Sequence, residues 1–388
     1  MESLARFDVE GAVRERYSQA AQSRDEALCC SVSYDPRYLE VIPKQVLDRD
    51  YGCGDPSRYV RPGDTVLDLG SGAGKICFIA AQIVGPKGCV LGIDMNEEML
   101  ALARDSAPQV AERIGYSNVR LHRARIQDLR LDLDRVDARL AAHPARSAGD
   151  LVALEDFCER LRREAPLVPD ASVDIVVSNC VLNLVQPAHK LEFIREAFRV
   201  LRRGGRIAIS DIVSDEPVPE ELRADPELWS GCISGAFQES ELLQSLEQAG
   251  FYGIAIDQWE SEPFGVVDGI EFRSVTLTAY KGKEGPCYEA RQAVIYRGPW
   301  KQVEDDDGHV LRRGERAPVC AKTFDILTAG PYADDLVPIQ PRVPVPEAER
   351  QLFDCQRTEP RHARETKGLE YKASTNPKES DCSPGSCC

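Results

Sequence analysis

Three cysteines stand in separated and unusual surroundings: Cys53 in YGCGDP, Cys180 in VSNCVLNL and Cys232 in LWSGCISGAF. Each alone reads as a small buried hydrophobe, since free cysteine is among the most buried residue types. Together they read differently. They bracket a nucleotide-type loop, LDLGSGAG from Leu67 to Gly74, and thiolates gathered beside a bound cofactor are suited to a soft centre. The expectation is a converging trithiolate site.

The elements that must position these thiols begin at Asp64. Short apolar runs, TVLDLG, GCVLGIDM, NVRLHRA, VDIVVSN and GRIAISDI, alternate there with helical periods. Strands spaced in this way by helices imply crossover units and a parallel sheet, an α/β doubly wound, Rossmann-like domain. Helices are expected over 73–84, over 97–107 behind Asn96 as cap, and over 191–201, where Arg202-Arg203-Gly204-Gly205 stops the last of them. Between the third and fourth strands, about 133–169, apolar positions Leu151, Leu154, Cys158 and Leu161 follow Ser147 at helical spacing and predict a helical insertion. The acidic run Asp132, Asp134 and Asp137 lacks the glycine and terminal glutamate of a calcium loop and reads as a solvated helix face.

The division expected is a covering segment with cysteines at 1–60, a cofactor-binding domain at 61–258, a small C-terminal α+β module at 259–341 and a flexible Cys-containing tail at 342–388. The module rests on the β-rich stretches EFRSVTLTAYKG, QAVIYRGPW and HVLRRGERAPVC. The tail rests on its prolines and its polar DCSPGSCC end.

Composition narrows the partners. A net charge of −16 over 388 residues disfavours a nucleic-acid backbone and favours a small-molecule substrate. The N-terminus has no apolar h-region and no stretch approaches 18 apolar residues, so a cytoplasmic protein that engages no membrane is expected. It is expected to act as a monomer. In that compartment the 14 cysteines stay reduced, and those in excess of core needs serve catalysis, redox chemistry or metal binding.

Gly70, Gly72 and Gly74 follow a strand and open a helix, which lets backbone approach a ligand. Asp94 lies 24 positions after Gly70 at the end of the next strand, where a carboxylate accepts from ribose hydroxyls. Asp68 would repel a pyrophosphate but complements a cation. With IQDL after the third strand, these features look like a class I S-adenosylmethionine methyltransferase, whose cofactor carries a sulfonium and an ammonium. Gln127 is then expected near the adenine, with Asp128 as the alternative, and Met95 against the base. A simple capping role for Asp68 is the other reading.

Loop and cysteine contexts together resemble the arsenite methyltransferases, through YGCG, VLDLGSG, GIDM, SNC with NL, RVL with GG and SD, and LW with GC. The resemblance runs from about Cys29 to the C-terminal cysteines. It implies that Cys53, Cys180 and Cys232 bind As(III), and that Tyr51, Gly70, Ser71, Gly72, Asp94, Met95, Ile126 and Asn179 contact S-adenosylmethionine. It also implies that Cys29 or Cys30 is a redox partner, that arsenite and methylarsenite are substrates, and that a thioredoxin or glutathione system resets the thiols. The sequence departs from the family at Ile76 and Gln127, where an aspartate and a glutamate are usual, and at the insertion. Cys77 is retained, yet reads as core. Two rivals stay open. One is a methyltransferase of the same fold acting on an ordinary nucleophile or on antimony, selenium or tellurium, although His122, His143 and His189 lie outside the pocket motifs. The other is a non-catalytic metalloid- or zinc-sequestering protein using Cys382, Cys387 and Cys388.

Overall fold

Strand β1 (Thr65–Leu69) is buried at four of its five positions, as a parallel strand covered on both faces must be, and this is why it reads as an unbroken apolar run. It sits mid-sheet with β2 (Cys89–Asp94), β3 (Val119–Arg123), β4 (Val173–Asn179) and β5 (Leu201–Ser214), all parallel, in the order β3-β2-β1-β4-β5. The order reverses between β1 and β4. At such a switch point a crevice opens beyond the carboxyl ends of the strands, and it is there that the loop after Leu69 and the residue Cys180 lie. The computed structural model describes residues 8–28 and 32–374, and the chain divides into two units between Gly282 and Lys283.

The sheet continues beyond β5. Short β6 (Phe237–Gln238) pairs with the end of β5, β7 (Tyr252–Trp259) forms the far edge, and β8 (Gly265–Val267) turns into β9 (Ile270–Tyr280). Strand β9 lies antiparallel between β5 and β7, with Ser210 opposite Thr276. This corrects the expected module start at 259, because EFRSVTLTAY completes the cofactor sheet. The alternation of a strand says that it pairs, not with which sheet.

Helix ends follow side-chain chemistry. Asn96 Oδ1 accepts from Met99 N at 2.9 Å and starts a helix that runs through Pro108 to Ile114, past the expected end at residue 107, because Val110 still packs inward. The insertion forms two helices, Leu133–Ala142 and Ala148–Glu164, capped by Asp132 and Ser147. Of its apolar positions Leu161 is buried and Leu151 is exposed. Asp134 and Asp137 pair with Arg104 at 2.6 Å and Arg123 at 2.5 Å, so the acidic run is an ion-paired face.

The second unit has its own antiparallel sheet, β10 (Gln292–Tyr296) between β13 (Arg316–Val319) and β14 (Leu336–Ile339), beside the hairpin of β11 (Gln302–Glu304) and β12 (Val310–Arg312). The stretch following residue 342, expected to be unstructured, packs into this unit as far as it is described. Arg361, its side chain 1% exposed, reaches Glu289 at 2.8 Å and Glu365 at 3.2 Å. A buried guanidinium paired twice holds such a low-periodicity segment in place, and pattern reading does not detect it. The tail cysteines Cys382, Cys387 and Cys388 lie outside the described residues. Among the described residues no helix is long and apolar enough to cross a membrane.

Candidate active site

The glycines of the first loop adopt left-handed backbone, with φ of +75° at Gly70, +50° at Gly72 and +91° at Gly74. A Cβ at Gly70 would also meet the Val181 side chain at 2.4 Å. The loop is tied across to β2: Gly70 N and Ser71 N donate to Ile93 O at 2.8 and 3.0 Å, and Gly72 N donates to Asp94 Oδ2 at 2.8 Å. The other Asp94 oxygen accepts from Asn96 N at 2.8 Å. Each carboxylate oxygen has two lone pairs, so this carboxylate keeps acceptor capacity for ligand hydroxyls.

One pocket collects these residues. Tyr51, Asp68, Gly70, Ser71, Gly72 and Asp94 line it, as do Met95, Ile126, Gln127 and Asn179. Asp128 instead pairs with Arg162 at 2.9 Å, which leaves Gln127 as the residue of that loop at the pocket. The Ser71 hydroxyl is buried there without a partner. Asp68 is 2% exposed, and burial pushes its carboxyl up to about 7 even though the Cys77 thiol donates to it at 3.1 Å. Burial likewise raises Asp94, against the opposing effect of the Asn96 and Gly72 N–H groups. An orphaned hydroxyl, an acidic strand end with spare lone pairs and a buried carboxylate are a donor set that fits a cationic nucleoside such as S-adenosylmethionine. Cys77, fully buried on the helix Lys75–Val84, is a core residue that also steadies Asp68.

Cys180 lies on the wall of the same pocket and carries it into a second cluster. Cys53, Cys180 and Cys232 pack together with Ile212, Ile233 and Phe272, and all three are buried. The neighbouring thiols of Cys232 and Cys53, together with burial, push the Cys180 thiol up. Cys53 is raised by burial. Cys232 Sγ also meets Cys180 O at 3.2 Å. Cys53 and Cys180 are thus held as thiols at neutral pH, their sulfurs within 4.8 Å of each other, with Cys232 packed beside them.

Three loops deliver them. The Cys53 loop is held by Asn179, whose Oδ1 accepts from Cys53 N at 3.0 Å and Gly54 N at 3.1 Å while Nδ2 donates to Gly54 O at 2.8 Å. Gly52 allows this approach, because a Cβ there would meet Asn179 Nδ2 at 2.1 Å. The Cys232 loop is held by Asn183 Nδ2, which donates to Ile212 O at 2.6 Å and Cys232 O at 3.2 Å, and by Lys190, whose ammonium donates to Gly235 O. Cys180 and Cys232 themselves have φ of +58° and +63°. Such conformations cost about 1–3 kcal/mol in a non-glycine residue and persist only where the surroundings fix them.

Sequence reasoning missed several neighbours. Asp211, within the C-terminal half of β5, has a carboxylate oxygen within 4.8 Å of the Cys53 and Cys180 sulfurs. It accepts from Leu182 N at 2.9 Å, and burial pushes it up to about 6. The dipeptide Ser210-Asp211 was part of the family pattern, and its position late in a strand was the available signal. The helix Val9–Gln22 brings Val13, Arg14 and Tyr17 to the pocket, with Tyr17 edge-on to Tyr51 at 6.1 Å. Lys75 meets Asp50 at 2.5 Å beside it. Cys29 and Cys30 lie outside the described residues.

Known proteins resemble this chain over most of its length. A family model described as a methyltransferase domain matches residues 61–161 and 155–250, and one described as a domain of unknown function matches 283–371. An arsenite methyltransferase from Aquipseudomonas alcaligenes is 32% identical over 337 residues, 81% of this chain and 86% of the relative. One from Mus musculus is 29% identical over 87% of each chain. The crystal structure of an arsenic(III) S-adenosylmethionine methyltransferase from Chlamydomonas reinhardtii superposes with a TM-score of 0.54 at 25% identity, covering 86% of this chain and 100% of that one. Identity at this level and coverage, on a class I sheet with a nucleoside pocket at its switch point, places the chain in the arsenite methyltransferase family as an S-adenosylmethionine-dependent enzyme.

Proposed function

We propose that Cys53, Cys180 and Cys232 together hold trivalent arsenic as three thiolates while it is methylated. The observation that carries this reading is the packing of three cysteines from distant loops into one buried cluster, at the place where Cys180 also lines the cofactor pocket. Loading from arsenous acid balances without a base: each As–O bond is replaced by an As–S bond, and each thiol proton leaves with the displaced hydroxide as water. The arsenic lone pair remains, and it is the nucleophile. S-adenosylmethionine, when bound, supplies an electrophilic methyl group. Asp94 holds the ribose hydroxyls, Gln127 and Met95 flank the adenine, and Asp68 complements positive charge. Tyr51, Gly70, Ser71, Gly72, Ile126 and Asn179 shape the rest of the pocket. Positioning of this kind can lower a barrier by about 7–11 kcal/mol in well-aligned cases.

Methyl transfer leaves arsenic formally pentavalent, so two electrons must be returned before another round. A thiol pair, Cys29 or Cys30 with Cys53, supplies them by forming a disulfide, which a thioredoxin or glutathione system reduces. The substrates are arsenite and methylarsenite, taken by a cytoplasmic monomer in which the helix Val9–Gln22 covers the site.

Product speciation from labelled cofactor tests the ligand set. Cys180→Ser and Cys232→Ser should yield no methylated product from either substrate while retaining cofactor affinity within about twofold, oxygen being a poor replacement for soft sulfur. Cys53→Ser should fail on arsenite yet still methylate methylarsenite, whose two open valences match two thiols. Wild-type turnover of arsenite in any of the three would remove that cysteine from the site.

A further inference from the structure

The second unit, matched by a model with no assigned function, contains thiols that the reaction above does not use. Cys287, Cys320 and Cys355 are all unpaired by disulfide. Backbone pairing sets the first two side by side: Ala321 N donates to Tyr288 O at 2.8 Å, joining the residues that follow each cysteine. Burial raises the Cys320 thiol, and the adjacent Cys287 thiol raises it further. Cys320 is 2% exposed and anchored, its sulfur accepting from Thr323 N at 3.3 Å and lying 3.2 Å from Thr323 Oγ1. Cys287 is half-buried, so the pair combines a partly exposed residue with an anchored, buried one. The strand-like segment across from Cys287 is fixed too, with Phe353 N donating to Cys287 O at 2.9 Å and Glu289 N to Gln351 O at 2.8 Å. Cys355, two residues beyond Phe353, is exposed and turned to Phe353 O, apart from the pair.

A pair of adjacent reduced thiols, one anchored and one on a partly exposed residue, has the donor number of a chelate for a soft centre with two exchangeable ligands. Monomethyl trivalent arsenic is such a centre, with one As–C bond that does not exchange and two As–O bonds that do. We propose that Cys287 and Cys320 form a second, dithiol arsenical site that takes up methylarsenite. Uptake balances as CH3As(OH)2 plus two thiols giving two As–S bonds and two waters, each thiol proton leaving with a hydroxide, and no electrons move. Because both thiols are held before the ligand arrives, little ordering entropy remains to be lost on chelation.

The site is independent of the proposed trithiolate, and counting bound arsenic separates them. The fully reduced full-length chain is titrated with methylarsenite, and the adducts are counted by native mass spectrometry. Cys287→Ser and Cys320→Ser should each bind one equivalent fewer than the wild type, and the double variant should also bind only one fewer, the mark of a shared ligand. Cys355→Ser should bind as many as the wild type, and Cys180→Ser should still lose an equivalent when Cys287→Ser is added. Initial arsenite methylation by Cys287→Ser should stay within about twofold of the wild type, which establishes that the variant is folded. Should it not, Cys287→Ala is counted in the same way. An unchanged count in both single variants, or a loss of two equivalents in the double variant, overturns the proposal.

Discussion

The cofactor pocket and the thiol cluster share a wall at Cys180 but are built on different principles. The pocket floor is local: a glycine loop, the strand before it and the strand after it are stitched by backbone bonds, so that Gly70, Ser71 and Gly72 each donate to β2 or its terminal aspartate. The cluster is assembled from loops 53, 180 and 232, with sequence separations of 127 and 52 residues between successive cysteines. It has no backbone ladder of its own and depends on two amide side chains, Asn179 and Asn183. A nucleoside is recognised by a pattern that neighbouring residues supply, whereas a small metalloid must be surrounded from several directions.

Asn179 is where the two regions can be pulled apart. Its amide makes three bonds to the Cys53 loop while its side chain also lines the pocket. Asn179→Ala should weaken both ligands, and arsenite more: leaving buried loop groups unpaired costs about 1–3 kcal/mol each. The apparent arsenite affinity should fall on the order of a hundredfold, with a much smaller change for the cofactor. Equal losses, measured by titration of each ligand, would mean that the cluster does not depend on this amide.

Asp94→Ala should act on one side only. Cofactor affinity should fall by about 1–3 kcal/mol, since Gly72 N and the ligand hydroxyls lose their acceptor, while arsenite binding is retained; calorimetry with S-adenosylmethionine and then arsenite decides it. Next in size is a pH effect on the pocket. The folded-state pKa of Asp68 is raised from the ordinary 3.8 to about 7. Without ligand the folded chain therefore keeps a proton that the unfolded chain releases, and the stability drawn from this group falls as pH rises from about 4 to about 7. A cationic ligand favours the ionised form. Cofactor affinity should rise with pH up to about 7, by at most about tenfold per pH unit, and Asp68→Asn should flatten the profile. A slope that survives in Asp68→Asn would assign the titration elsewhere.

The smallest effect is expected furthest from both sites. Ser147→Ala removes the cap that accepts from Asp150 N at 3.2 Å, and should lower stability by about 0.5–2 kcal/mol with kinetics unchanged. A loss of activity without a shift in melting would give the insertion a role in the reaction.

What the sequence made legible follows the same contrast. The local part of the pocket could be read, because the loop glycines, Asp94 at the second strand end and the Asn96 cap need only short-range spacing. The cysteines could be singled out by their contexts, but their meeting could not be derived from spacing, because β4, β5 and the Cys232 loop converge only after the sheet forms. Strand β9 was placed in the wrong unit, since an antiparallel strand inserted between β5 and β7 has the same alternation as one in a separate sheet. Tyr17 and Asp211 went unread for a related reason. A tyrosine on an amphipathic helix and an acid inside a strand acquire meaning only from what docks against them. The segment held by Arg361 shows that one buried ion pair can order a stretch with no periodicity.

The left-handed backbone at Cys180 and Cys232 bears on how such a chain tolerates change. Among the described residues only five other than glycine have positive φ, and two of them are these cysteines. A sequence drifting under pressure for stability alone would shed them for glycine, or for asparagine, which tolerates that conformation. Under the proposed thiolate role, these are two positions where durability is surrendered to chemistry. Stabilising substitutions gathered elsewhere in the chain would therefore not weaken the site; they would widen the margin within which two ill-suited residues can be kept.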